Sequence, residues 1–334
     1  MKLKAVIQVL NRIAPPQYAC SWDKQIGLQL GDKHAAIKKI LVTLDVTSQI
    51  VDKAVRQKAD LIVAHHALFF RPLENIDLHQ PLGRNIAKLL KNNIAVFVAH
   101  TNLDAAPDGV NWALARRSGL EPEQCEALEP TYRERLYKYV VFVPRDNVEA
   151  VHAAIAAAGG GHIGRYTDCT FRQEGTGTFR PLAGTQPYIG KQYQLEKVNE
   201  TRIETIIAEE KFGDLLNAVR VKHPYEEIAY DLYPLKNSGR TYGIGLVGKP
   251  DKNSQYARYK KIAVCSGSGG SLVQKAYDKG AELFIVGEAG YHDQLLAEEL
   301  GLELKICGHR ETEEIIVPVL KQKLKNELPE LEIL

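Results

Sequence analysis

Short apolar runs that end abruptly on polar residues, with helical segments between them, constrain this chain more than any other feature. Lys39–Asp45, Leu61–Ala64 and Ile94–Ala99 read as buried strands. Ser48–Gln57, capped by Thr47 or Ser48, and Leu82–Asn92 read as the helices between them, and residues 2–13 carry an apolar stripe at helical spacing. Strand and helix in alternation specify parallel βα units. The run at Leu61 passes straight into His65-His66, and the run at Ile94 into His100-Thr101-Asn102-Leu103-Asp104. In an open α/β sheet, side chains at the carboxyl ends of strands project into the crevice where ligands bind.

The same grammar returns near the C-terminus. Lys261–Val264 leads into Cys265–Ser271, and Glu282–Val286 ends in Gly287-Glu288-Ala289-Gly290-Tyr291-His292, with a helix expected over 293–300. Glu303–Cys307 ends in Gly308–Glu313, which opens a last helix running to about Lys325. Between these halves the character changes. A strand at Tyr137–Pro144 and an Ala-rich helix at Asp146–Ala158 precede a loop-rich stretch that includes Gly175–Pro181 and Gly184–Gly190. Strands around Glu200–Ala208, a helix at Lys211–Arg220 and a strand at Ile228–Pro234 complete it. The expected fold is α/β: a two-part parallel-type core, residues 1–127 and 238–334, interrupted by a ferredoxin-like α+β domain at 128–237.

Composition limits the partners. Hydrophobic content of 45% and charged content of 25% suit a globular chain with a real core, and a net charge of +2 gives no electrostatic case for nucleic acid or an anionic membrane. No apolar run approaches the ~20 residues of a membrane span, and the N-terminus lacks a signal-peptide h-region. The five cysteines (Cys20, Cys125, Cys169, Cys265, Cys307) are scattered, odd in number and never paired as CxxC. That argues against a disulfide framework or a cysteine zinc site and predicts a reducing, cytoplasmic setting. A metal here would be held by nitrogen and oxygen, which suits zinc, manganese, iron or cobalt.

Candidate ligands follow from the strand ends. His309 and Glu313 are four apart at a helix start and share one face. Asp104 either sits free on a turn or caps the helix expected over Val110–Ser118. Together His65, His66, Asp104, His309 and Glu313 offer three imidazoles and two carboxylates, enough for two open-coordinated metal ions. Glu288 and His292, at a neighbouring strand end, are candidates for general acid or base, and Glu288 equally for a carboxylate that fixes a ligand histidine. Ser266–Ser271 has either a phosphate-cradling shape or that of a tight turn. It lacks both the Gly-Lys-Ser/Thr of a P-loop and a full Gly-x-Gly-x-x-Gly.

These segments, in order over nearly the whole chain, resemble the Nif-three-like family, also labelled type 2 homologues of GTP cyclohydrolase I. They are Trp22-Asp23…Gly27-Leu28-Gln29-Leu30-Gly31, Ala64-His65-His66, Ala99–Asp104, Gly267-Ser268-Gly269, Gly287-Glu288…Tyr291-His292 and Gly308-His309…Glu313. The middle piece is similar to the PII/CutA-like insert of longer members, through Gly175–Phe179, Pro187–Gly190 and His223-Pro224-Tyr225-Glu226-Glu227. The resemblance implies two divalent metal ions per subunit on His65, His66, Asp104, His309 and Glu313. It also implies a ring-shaped homohexamer, a trimer of dimers, with sites facing an internal cavity. The implied activity is that of a metal-dependent hydrolase opening the imidazole ring of GTP or acting on another small molecule. The alternative is a non-enzymatic metal-storage or delivery protein, or a regulatory scaffold sensing a small ligand through the insert. One departure, an extra residue between Trp22-Asp23 and Gly27-Leu28, leaves the contact of Asp23 open.

Overall fold

A computed structural model describes residues 1–334. The chain divides into two compact units, one made of 1–132 and 241–334 and the other of 133–240.

The first unit begins with α1 (Leu3–Ile13), whose Leu3, Val6, Val9 and Leu10 are buried at helical spacing. Then come β1 (Gly27–Leu30), β2 (Lys39–Thr43), α2 (Ser48–Gln57) and β3 (Leu61–Ala64). The Thr47 hydroxyl caps α2 by accepting from the Ile50 N–H, and Lys58 ends it in the left-handed region at φ 53°. The chain continues through α3 (Pro81–Lys91), β4 (Ala95–Val98), a short α4 (Thr101–Ala105) and α5 (Val110–Arg117). β2, β3 and β4 are parallel neighbours, as the βα alternation requires, while β1 pairs antiparallel with β4. Side-chain alternation splits this sheet between two cores. Leu61, Val63 and Phe97 face α1, whereas Ile62, Ala64 and Val96 face α2 and α3. Full burial of a side chain such as Phe97 or Ile62 stabilises the fold by ~1.5–3 kcal/mol.

The second unit contains parts of β5 (Glu126–Pro144) and β8 (Tyr230–Gly248), and between them α6 (Val148–Ala157), β6 (Thr170–Phe179), β7 (Glu196–Ala208) and α7 (Phe212–Lys222). This β-α-β-β-α-β order is that of ferredoxin-like units. β7 lies antiparallel between β5 and β6, and Tyr139, Val141, Ile203 and Ile207 meet Val151, Leu215 and Val219 of the helices in one core. Gly175–Phe179, expected as loop, is strand. β6 carries glycine and polar side chains and is mostly exposed, so no apolar run marks it.

The chain then returns to the first unit through β9 (Ile262–Ser268), α8 (Val273–Asp278), β10 (Leu283–Glu288), α9 (Tyr291–Leu300), β11 (Glu303–Ile306), α10 (His309–Glu313), α11 (Ile316–Glu327) and β12 (Glu332–Ile333). β9, β10 and β11 are parallel, with β8 antiparallel on β9. The expected last helix is broken at 314–315 into α10 and α11. β12 pairs parallel with β2, and Leu320, Leu324 and Leu328 pack in the same core as α1. Trp112 and Leu114 of α5 pack against Ile262 and Val264 of β9, joining the two sequence-distant halves of this unit. The architecture is thus mixed α/β with two mixed sheets. No helix is long and apolar enough to cross a membrane.

Candidate metal centre

Four imidazoles converge where the strand ends of the first unit meet. His65 and His66 follow β3, His100 precedes α4, and His309 opens α10. His65 lies 4.9 Å from His66 and 5.2 Å from His100 between ring centroids, and His66 lies 5.5 Å from His309. Each ring is held through Nδ1 by an oxygen that can only accept. The partners are the Ala99 carbonyl for His65 at 2.9 Å, Asp45 for His66 at 2.8 Å, Asp23 for His100 at 2.8 Å and Glu288 for His309 at 3.0 Å. A ring nitrogen beside a carbonyl or carboxylate oxygen carries the hydrogen, so Nδ1 is a donor in each ring, and Nε2 offers its lone pair to a metal ion on release of any proton it shares with Glu313. This carboxylate–histidine arrangement is the one that orients imidazoles in metal sites.

The inward Nε2 atoms face carboxylates. His65 Nε2 lies 3.7 Å from Asp104 Oδ1 and 3.8 Å from Glu313 Oε1. His66 Nε2 lies 3.0 Å from Glu313 Oε2, and His309 Nε2 lies 3.1 Å from Glu313 Oε1. Glu313 Oε2 and His65 Nε2 are nonetheless buried without a hydrogen bond, the first because its 3.0 Å approach to His66 is not aligned as one. A buried ring nitrogen or carboxylate oxygen left without a partner is costly unless a proton or a metal ion supplies one. Two sets of ligand atoms lie within 4.8 Å of one another, His65/His66/His100 and His66/His309/Glu313, and His66 belongs to both. The residues present therefore fit divalent cations held by nitrogen and oxygen.

The electrostatics agree. Burial opposes a charge on His66, but Glu313 and Asp45 outweigh it and lift its pKa to about 9. Burial likewise works against the Glu313 carboxylate, yet His65 and His66 hold its pKa down at about 2. Asp104, sunk beside these groups, is pushed upward by burial. Imidazole and carboxylate thus favour each other's charged forms, and a metal ion entering here would displace a proton from His66. Local backbone makes room for it. Gly267 sits at φ +59°, and a Cβ there would fall 2.2 Å from Glu313 Oε1.

Asp104 does not cap α5, whose N-cap is Gly109. Instead it is buried in α4, its carbonyl accepts from Asn111 Nδ2, and its carboxylate faces His65. Glu288 is bonded to His309 Nδ1, in the position of a carboxylate that orients a ligand ring. His292 stands in the first turn of α9 with its ring edge-on to Tyr291, away from the walls of the cavity over the centre. His100, which the sequence places at a strand end, is drawn into the cluster. So are Asp45, just after β2, and Asp23, in the Trp-Asp segment. Asp23 also accepts from the Thr101 hydroxyl at 2.6 Å. Burial raises its pKa, but His100 and Thr101 overcome that and bring it to about 2.

A cavity of about 760 Å³ opens over the centre, with His66, His100, Asp104, His309 and Glu313 in its wall. Trp22 and Phe70, both exposed, stand at its edge, and Phe70 lies 5.5 Å from the His100 ring. The Ser266–Ser271 segment borders it too, and three of its amides are bonded within the protein. Ser266 donates to Asn111, Gly267 to Thr312, and Gly269 to the Gly267 carbonyl. Lys275, which also lines the cavity, is paired with Glu129.

The fold and the clustered His/Glu ligands define a class of α/β protein with a candidate metal centre enclosed by parallel strand ends. The chain belongs to the Duf34/NIF3 (NGG1p interacting factor 3) family, whose model matches residues 1–334. It is 41% identical over 327 residues to a protein named GTP cyclohydrolase 1 type 2 homolog from Bacillus subtilis, covering 91% of this chain and 87% of the relative. A protein of the same name from Halalkalibacterium halodurans is 39% identical, with 98% and 92% covered. The crystal structure of a Bacillus cereus protein related to NIF3 matches with a TM-score of 0.87 at 37% identity, covering 100% of this chain and 96% of that one.

Proposed function

We propose that this chain is a metal-dependent hydrolase whose centre holds two divalent ions, zinc, manganese, iron or cobalt, on His65, His66, His100, Asp104, His309 and Glu313. The observation that carries this reading is the reach of Glu313, through separate oxygens, to His66 and His309 beside two groups of converging ligand atoms, with every ring held by an oxygen at Nδ1. Such ions would polarise a bond under attack and bring water toward ionisation near neutral pH. The chain's own part is to orient the ligand rings through Asp45, Asp23, Glu288 and the Ala99 carbonyl. It also offers a substrate-sized cavity directly over the ligands. GTP is the first substrate to test, on the strength of the relatives' name.

The test is turnover of GTP and of simple phosphoesters by metal-loaded protein beside His65→Ala. Turnover by the wild type and its loss in the variant supports the hydrolase. Tight, reversible binding of two ions without turnover of either substrate would favour storage or delivery of metal instead. We further propose that the chain assembles as a homohexamer. A run of exposed apolar side chains, Phe70, Leu73, Ile76 and Leu78, supports burial against other copies. Light scattering should then give about six times the 37.2 kDa chain mass, and a monomer mass would reject the assembly.

A further inference from the structure

The second unit contains a cavity of its own, about 390 Å³, that the metal chemistry does not use. Three aromatic rings form part of its wall at steep angles. Phe179 lies 5.9 Å from Tyr225 at 61°, and Tyr188 lies 6.3 Å from Tyr225 at 52°. Tyr225 is fixed from below. Its N–H donates to His223 Nδ1, and His223, buried, donates from Nε2 to the Phe142 carbonyl at 2.9 Å. The Tyr225 hydroxyl donates to Glu200 Oε1 at 2.9 Å. Burial and Glu200 both push that hydroxyl's pKa up, so the donor keeps its proton.

Glu200 is placed as deliberately as the rings. It pairs across the sheet beside Gly175, and a Cβ on neighbouring Gly177 would fall 2.0 Å from its Oε2. The bare glycine in β6 is what lets a carboxylate lie flat against the strand. Glu226 is held by the Gln186 N–H, at 3.0 and 3.3 Å to its two oxygens, and Glu227 also borders the space. Three carboxylates thus face one guanidinium, that of Arg180.

We infer that this cavity binds a small organic cation of the alkylated-ammonium class. Aromatic faces attract a cation through the ring quadrupole, and carboxylates close by add long-range attraction. Glu200 and Glu226 already accept hydrogen bonds from the protein. The site therefore suits a cation with apolar substituents better than one that needs several acceptors for its own N–H groups.

Isothermal titration of the full chain with choline, beside its neutral isostere 3,3-dimethylbutan-1-ol, tests the assignment. Choline should bind saturably at one site per chain, and the isostere at least about tenfold more weakly. Glu200→Gln removes the charge while keeping an acceptor for Tyr225, and should weaken choline about fivefold or more. Tyr188→Ala removes an exposed ring without touching the core and should do the same. His65→Ala should bind choline as the wild type does, which separates this site from the metal centre. Absence of saturable choline binding, equal binding of the isostere, or wild-type binding by both Tyr188→Ala and Glu200→Gln would overturn it.

Discussion

Glu313 bridges two histidines with separate oxygens: Oε2 lies 3.0 Å from His66 Nε2 and Oε1 lies 3.1 Å from His309 Nε2. One carboxylate from α10 thus serves rings carried by two different strand ends. Glu313→Ala should lower bound metal by at least one ion per chain, measured by elemental analysis after dialysis against low-micromolar metal. Full retention of both ions would remove Glu313 from the ligand set.

The oxygens at Nδ1 make a subtler prediction. Asp45→Asn and Asp23→Asn leave Nε2 of His66 and His100 in place but weaken the group that orients each ring. Metal affinity should fall about 10–100-fold while saturating metal still restores the wild-type stoichiometry. Competition against a chromogenic chelator measures both quantities. Unchanged affinity in both variants would show that the rings are held by packing alone.

Gly267→Ala should fail twice. At φ +59° a side chain costs roughly 1–2 kcal/mol of backbone strain. Its Cβ would also displace Glu313 Oε1 from a contact of 2.2 Å. Lower urea midpoints together with lost metal are expected. A variant destabilised but still fully metallated would mean that Glu313 moves aside without leaving the centre.

Asp108 gives a pH dependence remote from the metal ligands. Its carboxylate lies 2.6 Å from Arg116 and 3.4 Å from Lys323. Burial raises its pKa, but these two cations outweigh that and hold it below the ordinary range. A depressed folded pKa adds stability above the unfolded value of about 3.9, and the gain is lost as pH falls through the folded value. Because the pair is substantially exposed, the gain is at most ~1 kcal/mol. Asp108→Asn, which suits the φ of 53° at this position, should lower the urea midpoint slightly at pH 7. The difference should vanish once the pH lies below the folded value, and one that persisted there would assign the effect to packing.

Much of the α/β core was legible because β3 and β4 are short, fully apolar runs, and β9 and β10 open on such runs before turning polar. Both faces of these strands are buried, so the sequence carries a strong local signal. The strand end at His65-His66 could be read for the same reason. β6 could not, since an exposed strand of glycine, threonine and charged residues shares its composition with loops. The pinning carboxylates were hidden for a different reason. Asp45 and Asp23 act only through a ring 21 and 77 residues away, and no local spacing encodes such a pair. The capping alternative for Asp104 had the same root, since whether a carboxylate caps or faces inward is decided by tertiary packing. Here Gly109 takes the cap and Asp104 turns to His65.

The intervening unit has a consequence for the order of events during synthesis. His65, His66, His100 and Asp104 emerge with the βα units of the N-terminal half, before the α11 and β12 that complete its core. His309 and Glu313 follow only after more than a hundred residues of a separately packed body. Until α10 docks, the nascent chain displays four of the six proposed ligands. The proposed metallation of the whole centre therefore comes late and would act as a seal on a chain that has already joined its two halves.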